Sequence, residues 1–256
     1  MRLRALGSSG SGTRGRRLSS FLLDDSILLD AGGVTDALDP KKQFLIEHVF
    51  ITHAHLDHIQ GIPFLADNFA LAGRDGVNVY SLPVILGKLK KHVLNGSIWP
   101  DFSSIPGDGR PTIRLMALEE GVPVRLERYD ITALRVRHAA PAVGYLARHT
   151  KTGKSLFYTG DTGPGSGVWK KLAAIALNCL IVDVSFPDEM EELAIASGHL
   201  TPKLLGNELK QLSIPPRRIF ITHLKAAFFK TIVRQAGRLG LDNLDVLPDG
   251  QVIRIF

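Results

Sequence analysis

Four side chains of metal-binding type fall within six residues of this chain. The stretch Thr52-His53-Ala54-His55-Leu56-Asp57-His58 carries three histidines and an aspartate, separated only by small or apolar residues. In extended or turning backbone, His53, His55 and Asp57 share one side, and His58 arrives as the chain turns into the next helix. A solvated turn does not need this density of imidazole and carboxylate. The combination suits zinc or another first-row divalent ion. Any fold open to this chain must therefore bring the rest of a coordination sphere to this turn.

The remaining ligands are expected at strand ends, where rigid strands position loop residues well. His48–Thr52 reads as a short apolar strand delivering His53. Ile131–Arg137 delivers His138, Leu156–Gly160 delivers Asp161, and Ile219–Thr222 delivers His223. With the turn, this makes seven candidate ligands: His53, His55, Asp57, His58, His138, Asp161 and His223. Seven suits two ions sharing one carboxylate, with positions left for water and substrate. Phe50-Ile51-Thr52-His53 recurs as Phe220-Ile221-Thr222-His223, either by chance or because two halves of similar build face each other.

The spacing H-x-H-x-D-H, met in full by His53, His55, Asp57 and His58, resembles the signature of the metallo-β-lactamase superfamily. The resemblance implies an α/β fold, a four-layer αββα sandwich, spanning residues 1–256 as one domain. It implies that His53, His55 and His138 hold one divalent ion and that Asp57, His58 and His223 hold a second. Asp161 would then bridge the two, and Asp30 would be the buried aspartate that orients ligands from behind. Zinc is the expected metal, with manganese or iron as alternatives. Thr52–Leu65, Ile98–Phe102, Ser197–Pro202 and Thr222–Lys225 are similar to the class II cyclic-nucleotide phosphodiesterases. Ribonuclease Z is a more distant match. The chain lacks a Ser-x-Arg-Tyr tail after Thr222-His223, and a bare turn at Lys151–Lys154 stands where a long arm for transfer RNA would be inserted.

The reaction these resemblances imply is hydrolysis of a cyclic nucleotide by hydroxide generated between two metal ions. Asp57 and His199 are the catalytic candidates, His199 as proton donor to the leaving group. Lys225 is a candidate phosphate contact. Trp99 and Phe102, in the loop Asn95–Pro106, are aromatic platforms for a base, part of a homodimer contact or simple anchors in the core. The rival readings are a nuclease, a lactonase or thioesterase on the same metals, and a non-catalytic metal-binding sensor.

Composition narrows the setting. Apolar residues make up 45% and charged residues 22% of 256, which suits a globular chain rather than a disordered or coiled-coil one. No apolar run is long enough to span a bilayer, and the opening MRLRALG lacks the apolar core of a signal peptide. Cys179 is the one cysteine, so no intramolecular disulfide forms and the cytoplasm is the expected compartment. The net charge of +6 fits an anionic partner and a plain solvated surface equally well, and no basic block marks a nucleic-acid arm; a small phosphodiester ahead of nucleic acid is what the resemblance implies. Helices are expected over Ile59–Ala72, Pro83–Leu94, Val168–Leu177, Glu189–Ala196, Pro202–Leu212 and Ala226–Leu239. Strands are expected over Met1–Leu6, Pro111–Leu118, Val124–Tyr129, Val143–Arg148, Ser155–Thr159, Leu180–Phe186, Arg217–Thr222 and Gln251–Phe256. A hairpin turning at Asp24-Asp25 is expected over Phe21–Asp30.

Overall fold

The protein is described by a computed structural model covering residues 1–107 and 109–256. The first half of the chain alternates strand and helix in the order β1 (Arg2–Gly7), β2 (Ser20–Leu23), β3 (Ile27–Leu29), α1 (Val34–Ala37), α2 (Pro40–Gln43), β4 (His48–Phe50), α3 (Leu56–Ile59), α4 (Gly61–Leu71), β5 (Val77–Ser81), α5 (Pro83–His92) and β6 (Ile113–Ala117). The second half runs β7 (Pro123–Arg125), β8 (Tyr129–Arg135), β9 (Val143–His149), β10 (Ser155–Tyr158), α6 (Val168–Leu172), β11 (Cys179–Asp183), α7 (Glu191–Ser197), α8 (Pro202–Leu209), β12 (Ile219–Thr222), α9 (Phe229–Gly237), β13 (Leu244–Val246) and β14 (Val252–Arg254).

These strands form two seven-stranded sheets with matching plans. The first has the order β14-β1-β2-β3-β4-β5-β6 and the second β13-β12-β11-β10-β9-β8-β7. In each, four strands pair in parallel and the others antiparallel: β3 to β6 in the first sheet, β10 to β13 in the second. The parallel strands need helical crossovers, and those helices cover the outer faces. The inner faces meet through aromatic contacts. Phe21 lies 4.9 Å from Tyr158 and Phe50 lies 5.4 Å from Tyr145, centroid to centroid. The hydroxyl of Tyr145 donates to the carbonyl of Ile51 at 2.8 Å. On the far side of the second sheet, Trp169, Leu204, Leu205 and Ile232 pack from α6, α8 and α9 onto β11 and β12. The result is the expected αββα sandwich.

Local chemistry explains the element ends. Pro83 starts α5, and Thr201 caps α8 by accepting from the amide of Leu204 ahead of Pro202, since proline has no amide to leave unpaired at a helix start. Asp24 and Asp25 take positive φ in the β2–β3 turn. Two expectations need correction, and some elements were not anticipated. Val124–Tyr129 is not one strand: β7 stops at Arg125 and Tyr129 opens β8. The helix from Val168 ends at Leu172, five residues early. The inner strand β5, next to the edge, and the edge strand β13 went unread, because Asn78 and Asp245 interrupt their apolar runs. The short helices α1 and α2 are too brief to show a period.

Candidate metal centre and active site

The parallel strands of both sheets end at one rim of the sandwich, and the polar residues gather there. Asp30 follows β3, Thr52-His53 follow β4, Gly160-Asp161 follow β10, Asp183 closes β11, and His223 follows β12. His138, beyond β8, and His55, Asp57 and His58, around the start of α3, complete the group. All seven candidate ligands are brought together. His53, His55, His138 and Asp161 form one cluster, and Asp57, His58 and His223 a second, each with ligand atoms within 4.8 Å of one another.

Asp161 joins the clusters through different oxygens. Its Oδ2 lies 3.5 Å from His53 Nε2 and 3.9 Å from His138 Nε2. Its Oδ1 lies 3.2 Å from His58 Nε2 and 3.3 Å from His223 Nε2. The carboxylate thus divides itself between two groups of imidazoles.

The other ring nitrogens are tied from behind. His58 Nδ1 donates to Asp30 Oδ2 at 2.7 Å, and His138 Nδ1 to the carbonyl of Gly198 at 2.9 Å. The Thr52 hydroxyl donates to Asp30 at 2.8 Å, so its oxygen accepts from His53 Nδ1 at 3.0 Å. The Ser185 hydroxyl likewise donates to Asp183 at 2.6 Å and accepts from His223 Nδ1 at 2.8 Å. Each arrangement fixes the tautomer and turns Nε2 inward, as outer hydrogen bonds do for metal-ligating histidines. His55 is reversed: its Nδ1 lies 3.3 Å from His138 Nε2.

This donor set fits divalent cations. Among the described residues, His53 Nε2 and Asp161 Oδ1 are buried without a hydrogen-bond partner, an arrangement that costs free energy unless something else binds there. Burial alone would depress the imidazoles of His58 and His223. The carboxylates around them reverse this, raising His58 well above its usual range and His223 to about 9. His53, equally buried but beside other imidazoles, is pushed well down. The carboxylates therefore create a spot that demands positive charge, while the inward nitrogens are lone-pair donors.

Two residues of the rim hold strained backbone. Asp30 and His223 both take positive φ, 54° and 64°, which costs on the order of 1–3 kcal/mol for a non-glycine residue. Asp30 is held by four hydrogen bonds, from Thr52 N, Thr52 Oγ1, His58 Nδ1 and Tyr158 Oη. His223 is held by its amide bond to Ser8 O at 2.7 Å. Gly10 lies so close that an added Cβ would sit 2.5 Å from the His223 ring.

The sequence model of the beta-lactamase superfamily domain matches residues 27–224. The chain belongs to the beta-lactamase superfamily. It is a hydrolase of that superfamily, whose members imply divalent metal ions. A 3′,5′-cyclic-nucleotide phosphodiesterase of Aliivibrio fischeri is 27% identical, covering 86% of this chain and 80% of that protein. A ribonuclease Z of Haloferax volcanii is 24% identical, covering 100% and 95%. Among solved structures, unliganded yeast PDE1 matches with a TM-score of 0.81 at 19% identity, over 98% of each chain. At that identity the likeness is one of fold.

Within this superfamily fold the other expected residues are placed unequally. His199 lies at the site, 8% exposed. Its ring stacks on His223 at 5.4 Å and meets His138 edge-on at 5.1 Å. Lys225 donates from Nζ to Gly10 O at 2.6 Å, pinning the glycine-rich loop beside His223. Trp99 is half-buried and edge-on to Phe64 at 5.0 Å, with its indole N–H buried and unpaired among the described residues. Phe102 requires correction. It is 5% exposed and belongs to the core under the first sheet, so its ring has no free face for a base.

Sequence reasoning missed Asp183, Ser185 and Tyr158. Asp183 is fully buried and accepts from His199 Nδ1 at 2.9 Å as well as from Ser185. The available signal was a carboxylate inside an apolar strand, which burial tolerates only with partners.

Proposed function

We propose that this protein is a phosphodiesterase whose substrate is a cyclic nucleotide. The observation that carries the reading is the division of Asp161 between two imidazole clusters beside the Asp183–His199 pair. His53, His55, His138 and Asp161 Oδ2 would hold one ion. Asp57, His58, His223 and Asp161 Oδ1 would hold the other. Two divalent ions supply Lewis-acid charge for the phosphoryl oxygens and an activated water at neutral pH. Zinc is the reading we favour from the histidine-rich set, and residues 1–256 act as one domain.

The chain's own residues do the rest. Asp57 is the open carboxylate of the set, its side chain 27% exposed against 3% for Asp161, so it faces arriving water and substrate. His199 keeps Nδ1 on Asp183, which leaves Nε2 to deliver a proton to the departing alkoxide. Lys225 has two ammonium hydrogens beyond the one given to Gly10, available to a phosphate oxygen. The relatives named cyclic-nucleotide phosphodiesterase support this substrate class. The ribonuclease Z relatives support the same bond chemistry on a larger substrate. The β9–β10 connection is a short turn, Thr150–Lys154, which favours the small substrate.

The test is a panel of 3′,5′- and 2′,3′-cyclic nucleotides, short RNAs with 3′ extensions and a lactone, with metal content measured on the same sample. A cyclic nucleotide should give the highest kcat/KM. Turnover confined to RNA or to the lactone would overturn the reading.

A further inference from the structure

The wall of the site on the His199 side is aromatic, and neither the metals nor the proton transfer uses it. Phe186 follows Ser185 directly and meets the His199 ring at 5.7 Å, near edge-on. Phe228 continues the wall at 6.5 Å from Phe186. Both rings are half-buried, packed against the core outside the second sheet and only partly covered by it. Outward from the ligand cluster, the order is therefore the His199 imidazole, Phe186 and Phe228.

We propose that Phe186 and Phe228 form the surface on which the base of the nucleotide substrate stacks. The proposal rests on the phosphodiesterase reading and assigns its specificity. The phosphate is fixed by the ligand cluster and the leaving oxygen by His199. A ribose spans only a few ångströms, so the base must come down just beyond His199, where these two rings stand. Stacking accepts any base because every base has a π face, so this wall selects nucleotides over other diesters without selecting one base. The loop platform expected around Trp99 and Phe102 is replaced by this one. Phe102 is core, and Trp99 spends its ring on Phe64.

The experiment compares the metal-loaded wild type with Phe186→Leu and Phe228→Leu, which keep apolar bulk and lose the π face. The substrates are a cyclic nucleotide and the same ribose 3′,5′-cyclic phosphate without a base. KM for the nucleotide should rise about 5- to 150-fold, while the base-free diester should be unaffected. In parallel, binding of adenosine 5′-monophosphate and ribose 5-phosphate is measured by calorimetry. Each variant should weaken the nucleotide alone, by a similar factor. Equal losses on both members of a pair, or a loss found instead in Trp99→Leu, would overturn the proposal. If wild type turns over no cyclic nucleotide, the phosphodiesterase reading fails, and the calorimetric pair still decides the stacking surface.

Discussion

Asp183 accepts from Nδ1 of His199 at 2.9 Å while Ser185, bonded to its other oxygen, accepts from Nδ1 of His223 at 2.8 Å. One buried carboxylate thus sets the orientation of both the candidate proton donor and a candidate ligand. The two histidines should nevertheless separate in function. His199→Ala should keep both metals and lose roughly 10²–10⁴-fold in kcat, the usual worth of general acid catalysis. The loss should shrink on bis-p-nitrophenyl phosphate, whose leaving group departs without a proton. Equal losses on good and poor leaving groups would show that His199 does not act as an acid.

His223 should respond oppositely. His223→Ala should lower bound metal from near two equivalents to near one, read by mass spectrometry or atomic emission. Asp161→Ala should lower occupancy in both clusters, since its two oxygens face different imidazoles. Full metal retention in the Asp161 variant would remove it from the ligand set.

Asp30 collects four donors and touches no other candidate ligand than His58. Asp30→Ala leaves three side-chain donors and one amide unpaired in the interior, each costing about 1–3 kcal/mol. The variant should unfold at markedly lower temperature. Its metal affinity should fall 10- to 100-fold, the usual effect of losing a partner behind the ligands, measured by chelator competition. Unchanged affinity would make Asp30 a purely structural residue.

How much of this could be read from the sequence follows from how each residue is presented. The turn from His53 to His58 was legible because its ligands are adjacent in the chain. His138, Asp161 and His223 were legible as polar endings of apolar strands. Phe102 was not decided by its sequence, because an aromatic in a loop can face a ligand, a subunit or the core, and its ring turns inward. Asp183 and Ser185 stayed hidden because their histidine partners lie 14 to 38 residues away: β12 brings His223 beside β11, and the α7–α8 connection brings His199. The recurring Phe-Ile-Thr-His has a structural counterpart in part. Both copies end inner parallel strands and deliver a histidine to the same rim, but Thr52 bonds Asp30 whereas Thr222 bonds the carbonyl of Val182.

The close approach of Gly10 to His223 gives the last prediction. Gly10 lies in the glycine- and serine-rich loop after β1, which Lys225 pins through the Gly10 carbonyl. A methyl group at Gly10 would meet His223 Nδ1 and O at 2.5 Å, well inside contact distance. The backbone and ring of His223 are already fixed by Ser8 and Ser185, so the loop has to move and drag Lys225 with it. Gly10→Ala should therefore weaken the second cation and lower kcat/KM at least tenfold. Gly12→Ala, in the same loop with its nearest neighbour 3.8 Å away, should have little effect. Comparable activity in the two variants would show that the loop does not position His223.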